Sequence, residues 1–411
     1  MFNILKKTFA SLKYKNFRLF WIGQGISVIG TWMQTIGQAW LVLKLKNSPF
    51  LLGVIGAAQY TPILILSVFA GSIVDRFPKR QIIIITQITM MCLAFTFWIL
   101  TATNVITYWQ ILLIALLLGL ATSLDVPARQ AFMIHLVGKD SLMNAIALNS
   151  TTFNLARLIG PAIAGILIAR VGIASTFLFN GISFIPVIAG LFFIDVDGYT
   201  GMSNHKNILE DAKEGLSYIK NNRLVFNVVM LMLIVSLFAI NFNVVIPIYS
   251  KYVFHSSPEI FGFLMSSLGV GSIIGAIIVA FRSTHKPDPV FLVIGAIILS
   301  AFQMLIAFVS NFYLAVLVLF LIGFGSIIFT ALTNTTIQLN TPDELKGRTM
   351  SIYSFVFMGI TPIGNLLIGG IASIIGVKAA IFIGGMFGLL PALYYLRQFR
   401  YLSHKAAKTQ S

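Results

Sequence analysis

The sequence predicts an all-α integral membrane protein of twelve transmembrane helices, arranged as two pseudo-symmetric six-helix bundles. Three observations predict it. Hydrophobic residues make up 58% of the 411 residues and charged ones only 10%, with a mean hydropathy of +0.93. A soluble globule carries about 25% charged residues, so this chain has too little charge to cover itself in water, and its solvent is a bilayer. The apolar residues fall into twelve stretches of the length a spanning helix needs, about 20 residues. These are 17–44, 50–74, 79–101, 106–126, 143–169, 173–194, 224–250, 258–281, 288–309, 312–334, 347–374 and 376–397. Finally, 22 of the 28 Lys and Arg lie in the N-tail, the C-tail and alternate connecting segments, five lie in the intervening ones, and Arg157 lies inside a span. That asymmetry puts both termini on the cytoplasmic side of an inner or plasma membrane.

The resulting division is a cytoplasmic N-terminal segment at 1–16, a first six-helix bundle at 17–194, a linker at 195–223, a second bundle at 224–397 and a cytoplasmic tail at 398–411. Lys6, Lys7, Lys13 and Lys15 precede an apolar segment too long for a cleavable signal. Leu5, Phe9 and Leu12 share one helical face among those lysines, which suits a helix lying on the membrane surface; a disordered basic tail is the alternative.

The first span carries Gln24, Ser27, Thr31, Gln34 and Gln38 at intervals of 3, 4, 3 and 4, so they form one polar stripe. Gly23, Gly30 and Gly37 run beside it every seven residues. Polar groups facing lipid are costly unless paired, so the stripe turns inward, and the glycines let a neighbouring helix come close. Between the second and third spans lies Gly71-Ser72-Ile73-Val74-Asp75-Arg76-Phe77-Pro78-Lys79-Arg80, the tightest knot of opposite charges in the first hundred residues.

The fifth span places Ser150, Asn154, Arg157 and Pro161 on one face. Arg157 is about 20 Å deep at 1.5 Å per residue, and a mid-membrane Arg costs about 2.5–3.5 kcal/mol on insertion scales. Backbone carbonyls with nearby amides, or an anionic substrate, would repay that; the sequence holds no Asp or Glu at similar depth. The linker segment Asn207–Arg223 alternates Ile208, Leu209, Ala212, Leu216 and Ile219 with charged residues at helical spacing, which predicts an amphipathic surface helix acting as a connector.

In the second half, Ser236, Asn243, Pro247 and Ser250 share a face of the seventh span. The eleventh repeats the 3, 4, 3, 4 spacing with Ser351, Ser354, Met358, Thr361 and Asn365. Four polar faces spread over both halves favour a central polar cavity over interhelical hydrogen bonding alone. Pro161, Gly165 and Gly172 in one half match Pro362, Gly369 and Gly376 in the other, the internal repeat expected of many secondary transporters.

Other chemistries find no support. Cys92 is the single cysteine, so the chain forms no internal disulfide and has no Cys/His metal spacing. The net charge of +16 sits in short loops between spans, where it signs topology, not nucleic-acid binding. No Walker phosphate loop is present. All five histidines fall in loops or tails, and no intramembrane His, Asp or Glu stands beside a nucleophile. The reading is therefore of a non-enzyme without cofactor or metal. Asp75 and Asp125 are the only carboxylates near enough to the spans to serve a coupling proton or other ion, and a structural role is favoured for both.

Residues Gly71–Arg80 resemble the loop 2–3 signature G-x-x-x-D-R-x-x-R/K of the major facilitator superfamily. Phe17-Arg18-Leu19-Phe20-Trp21 through Gly30-Thr31-Trp32, Asp125-Val126-Pro127-Ala128-Arg129-Gln130 with Asn154 to Arg157 and Gly160-Pro161, and Gly347-Arg348 with Pro362 and Gly364 are similar to its bacterial branch of transmembrane secretion effectors. The resemblance covers the whole chain and implies the major facilitator fold and alternating access. It implies a conformational lock of Gly71, Asp75, Arg76, Arg80 and Arg129, in which Asp75 pairs with Arg129 and faces the start of the eleventh helix near Gly347. Pro78 stands where many members have Gly, and the matching loop of the second half, Arg282 to Asp288, is degenerate, so one lock is expected. The fifth span departs from the glycine pattern of drug antiporters.

The expected function is that of a monomeric secondary transporter, exporting a small amphiphile such as a siderophore, antibiotic or metabolite. The expected cavity is lined by Gln24, Thr31, Gln34, Gln38, Asn154, Arg157, Asn243, Met358, Thr361 and Asn365, with membrane lipid around it. A nutrient importer or passive facilitator of the same fold, and a non-transporting scaffold or sensor, are the alternatives.

Overall fold

The computed structural model describes residues 10–199, 208–254, 257–282 and 289–410. Every regular element among them is helical, and no strand occurs. Twelve stretches cross the membrane. Ten apolar helical segments are long enough by length and composition. One of these, α4 (Tyr108–Arg170), holds two spans. The remaining span is α1 (Lys15–Lys46), whose polar stripe dilutes its hydropathy.

The chain divides into two compact units, residues 1–47 with 58–205, and residues 48–57 with 206–411. In the first unit, α1, α3 (Lys79–Ala102), α4 and α5 (Ala174–Phe192) pack on one another. The glycine register of α1 explains the closest seam. A methyl group on Gly23 would lie 2.7 Å from the Val187 Cα, and methyl groups on Gly30 and Gly37 would strike Ser183 and Thr176. One turn in every two of α1 therefore meets α5 through bare backbone, as the seven-residue spacing predicts. Phe20 packs edge to face on Phe132 at 6.1 Å, inside an apolar core that also holds Phe17, Ile83, Leu136 and Val187.

The segment 127–142, expected as a polar loop, is mostly helix. It continues the fourth span to Val137, breaks at Gly138 (φ 73°, ψ 173°), and resumes into the fifth. Gly138 supplies the left-handed residue that a sharp break requires. The N-terminal segment docks on this connection: Ser11 N–H and Oγ donate to Asn144 Oδ1 at 2.9 and 2.8 Å, and Ser11 Oγ is also 3.0 Å from the Ser141 carbonyl. Leu12 packs on the core; Leu5 and Phe9, the rest of the expected amphipathic face, lie outside the described residues.

In the second unit, α9 (Pro258–Arg282), α10 (Pro289–Ile306), α11 (Phe312–Leu339) and α14 (Val377–Gln410) form the bulk of the packing. Two spans depart from continuous α-helix. The seventh is split into α7 (Arg223–Phe238) and α8 (Phe242–Val253). The eleventh runs through α12 (Asp343–Ser354), a π-helical turn at Phe355–Gly359, and α13 (Thr361–Ile375). Residues 48–57 open α2 (Pro49–Arg76) and pack on α13: the Phe50 N–H donates to Ser373 Oγ at 2.9 Å, and a methyl group on Gly369 would meet the Pro49 carbonyl at 2.8 Å.

The linker helix is α6 (Ile208–Asn221), within a residue or two of the expected bounds. It docks on the second unit. Glu214 pairs with Arg348, and the Tyr218 hydroxyl donates to the Asn340 carbonyl. The repeated glycines also have a common cause: Gly172 (φ 105°) and Gly376 (φ 95°) both adopt a left-handed conformation where a span ends.

Candidate functional site

In the first unit two of the polar residues of α1 have partners on other helices. Gln34 Oε1 accepts from Asn180 Nδ2 of α5 at 2.7 Å, and Gln38 Nε2 reaches Gln59 Oε1 of α2 at 3.4 Å. Gln24, Gln34 and Gln38 are buried, while Thr31 is exposed and donates to its own helix at the Ser27 carbonyl, 3.0 Å away. The stripe thus does two things. Gln34 and Gln38 hold helices together, and Thr31 is an exposed polar position on the same helix.

Arg157 is half-buried and lies 13 residues before the end of α4, so about 20 Å from it. Among the described residues no carboxylate, carbonyl or amide bonds its guanidinium. Tyr60 of α2 interacts with it electrostatically. Asn154, one turn earlier, is half-buried and spends its Nδ2 on the Ser150 carbonyl at 2.9 Å. Pro161, one turn later, lacks the N–H that would bond the Arg157 carbonyl.

Asp125 shows the opposite case. It is fully buried, accepts from Thr86 Oγ1 at 2.8 Å and Gln87 Nε2 at 3.0 Å, and pairs with Arg129 one turn on. Sequence reasoning placed Asp125 near the end of a span and did not find its network. The signal was Thr86-Gln87, a polar pair inside the apolar run Ile82–Ile88.

Of the expected lock residues, Gly71 and Asp75 lie in α2, with side chains outside the described set. Arg76 is exposed in its last turn. The resemblance gave Arg129 to Asp75; the ion pair described for Arg129 is with Asp125. Arg80 caps α5: its Nε donates to the Leu191 carbonyl at 2.7 Å, one terminal nitrogen to the Phe192 carbonyl at 3.1 Å, and the other bridges Asp197 at 3.2 Å. A cation at the carbonyl end of a helix is favoured by the helix dipole.

In the second unit the eleventh-span stripe does not run straight. A π-turn bonds i to i+5, one residue more than the α pattern, so everything after it is displaced by about 100°. Ser351, Ser354 and Met358 are exposed, Thr361 is half-buried, and Asn365 is 1% exposed. Both amide atoms of Asn365 are buried without a hydrogen-bond partner among the described residues. Asn243 is half-buried at the start of α8. Close by, Asn241 sits in the break of the seventh span, where its Oδ1 and the Leu237 carbonyl would both meet a methyl group on Gly364. Among the described residues no His, Cys, Asp and Glu come together as a metal site.

The family model described as transmembrane secretion effector matches residues 6–411. The staphyloferrin A transporter of Staphylococcus aureus is 27% identical over 364 residues, covering 87% of this chain and 90% of that one. The multidrug efflux pump Tap of Mycolicibacterium fortuitum is 22% identical, covering 87% of each. Among solved structures, the nucleoside transporter NupG superposes with a TM-score of 0.75 at 12% identity, covering 95% of this chain and 99% of that one.

Proposed function

The chain belongs to the transmembrane secretion effector family of the major facilitator superfamily, and from that premise we propose that it exports a small amphiphile from the cell by alternating access. Two relatives, one a staphyloferrin A transporter and the other a multidrug efflux pump, support a cargo of that size and kind, a siderophore, antibiotic or metabolite. Energy comes from an ion gradient, the chain acts as a monomer, and it resides in the plasma membrane with both termini in the cytoplasm. The cation asymmetry of the connecting segments supports that orientation.

The observation that carries the cargo reading is the polar face of α1. Glutamines in an apolar unit need partners, and Gln34 and Gln38 have them on neighbouring helices. Thr31 lies on the same face and is exposed, and Arg157 of α4 adds a charge that no described residue neutralises. Gln24, Asn154, Asn243, Met358, Thr361 and Asn365 complete the proposed lining. Gly71, Asp75, Arg76, Arg80 and Arg129 form the proposed lock, with Arg80 and Arg129 already held in fixed positions by their partners.

Counterflow in vesicles of known orientation tests the direction. Accumulation driven only toward the outside face supports export, and the reverse supports the importer reading. Cysteines introduced at Gln34, Gln38 and Asn365 test the pathway, because failure of a water-soluble reagent to label any of them would leave a scaffold or sensor.

A further inference from the structure

We infer that Arg157 is an anion-binding residue, and that the cargo carries a carboxylate or phosphate group on the part that meets it. This rests on the transporter reading above and narrows its cargo. Three observations converge. Arg157 stands about 20 Å from the end of its helix at Arg170 and about 28 Å from the break at Gly138, which places it well inside a hydrocarbon layer about 30 Å thick. Its guanidinium has no hydrogen bond or ion pair among the described residues. The described acids of the same unit are committed or remote: Asp125 is held by Arg129, Thr86 and Gln87, while Asp140, Asp195 and Asp197 are exposed in the segments between spans.

Tyr60, the side chain that interacts with Arg157 electrostatically, is a phenol, which offers a dipole but no countercharge. Asn154 shares the same helical face one turn earlier, so the neighbourhood of the arginine includes an amide and a phenol, groups suited to an anion and not to hydrocarbon. An arginine kept in the membrane without a partner is expensive. Its planar fork of donors matches a carboxylate or phosphate two bonds at a time. Binding such a group would neutralise the charge and satisfy the donors in one step, and release would restore the unpaired state.

The test uses the purified full-length protein in detergent and four probes of one shape: benzoate, phenylphosphonate, benzamide and benzylammonium. The wild type is expected to bind at least one of the two anions about tenfold or more tightly than benzamide, a difference of about 1.4 kcal/mol, and to bind benzylammonium least. Arg157→Gln should abolish the preference, and Arg157→Lys should keep part of it, since the charge remains and the fork is lost. Whichever of benzoate and phenylphosphonate binds more tightly identifies the anionic group. Equal binding of the anions and the amide by the wild type overturns the inference, as does a preference that survives in Arg157→Gln. Should that variant not fold, the wild-type comparison together with Arg157→Lys decides. Counterflow of the same probes in proteoliposomes separates this inference from the reading beneath it. Anion binding that depends on Arg157 without any counterflow would sink transport and leave the site standing. Counterflow of benzamide, equal in wild type and Arg157→Gln, would do the reverse.

Discussion

Replacing Asp125 by Asn should weaken the first unit by about 3 kcal/mol, and Arg129 is the reason. The carboxylate is fully buried and accepts from Thr86, Gln87 and Arg129. Asparagine keeps the volume and one acceptor oxygen, so the two neutral donors can be served; Thr86 also has the Ile83 carbonyl at 3.0 Å to fall back on. The guanidinium cannot be served, because it now faces an amide with donors of its own. Breaking a buried pair by removing one partner costs about 3–5 kcal/mol. Arg129 keeps 22% of its side chain exposed and can turn toward solvent, which places the cost at the lower end. Each kcal/mol shifts the melting midpoint of a domain of 150–250 residues by about 2–4 °C, so the expected drop is about 6–12 °C.

The assay is thermal unfolding of purified protein in detergent at a fixed scan rate, since such unfolding is commonly irreversible. The decisive measurement is the double variant Asp125→Asn with Arg129→Gln. Removing both charges leaves no uncompensated ion, so the double variant should recover most of the loss, with a coupling of about 2 kcal/mol. A single variant that melts like the wild type would show that the pair stabilises nothing. A double variant whose loss equals the sum of the singles would show that the two residues act independently, and either result refutes the argument.

Three further outcomes are expected, two from the structure and one from the proposed lock. Gly23→Ala should cost about 1–3 kcal/mol, the usual price of overpacking, because its new methyl would lie 2.7 Å from Val187 Cα and 2.9 Å from the Pro186 carbonyl, both backbone atoms; Gly25→Ala, which meets only a Thr152 methyl at 3.3 Å, should melt near wild type, and equal melting of the two would contradict the seam. Asp75→Asn should abolish or greatly reduce transport in vesicles while the protein still inserts, and wild-type rates would dismiss the lock. His135, in the segment joining the fourth and fifth spans, has its pKa lowered by burial first and by the Lys79 charge second. A lowered folded value means that its contribution to stability is present above the unfolded value, about 6.5, and is lost as pH falls through the folded one. His135→Asn should therefore narrow the difference between melts at about pH 7.5 and about pH 5.5, whereas an unchanged difference assigns the acid sensitivity to other groups.

The features legible in the sequence are those that depend on composition and on a constant helical period. Twelve spans could be counted because each must be apolar over its own length, and the α1 seam could be read because glycine every seven residues stays on one face of a regular helix. Where the period changes, the reading fails. Nothing in Phe355-Val-Phe-Met-Gly359 marks a π-turn, so the stripe from Ser351 to Asn365 was drawn straight when it bends. The break between Phe238 and Phe242 is equally silent, since no Pro or Gly lies between them. The helix through 127–137 lies beyond the apolar span and contains Pro127, so a count of apolar spans passes over it. Seen as helix, Asp125 and Arg129 would have appeared as an i, i+4 pair on one face. Their partners Thr86 and Gln87 depend on helix packing between residues nearly forty apart, which no local pattern encodes.

Both units bury polar groups, and the place of those groups along their helices locates where each unit can change. In the first, Gln34, Gln38 and Asp125 are tied to neighbouring helices, and the buried polar atoms without a protein partner among the described residues, Trp21 Nε1, Gln24 Oε1, Gln87 Oε1 and Thr101 Oγ1, lie within continuous helices. In the second, Asn241 Oδ1, Ser300 Oγ and both amide atoms of Gln303 and Asn365 are buried without a protein partner among the described residues. An unmet buried polar group costs about 1–3 kcal/mol, and a rearrangement that met one would recover that amount. Asn241 lies in the break of the seventh span, and Asn365 follows the π-turn of the eleventh by six residues. Helix discontinuities already leave backbone groups without their regular partners, so bending there sacrifices fewer hydrogen bonds than bending a continuous helix. The positions where the second unit can move most cheaply are therefore the positions where moving has most to gain. This is the combination that a transporter built from broken helices requires of its mobile elements.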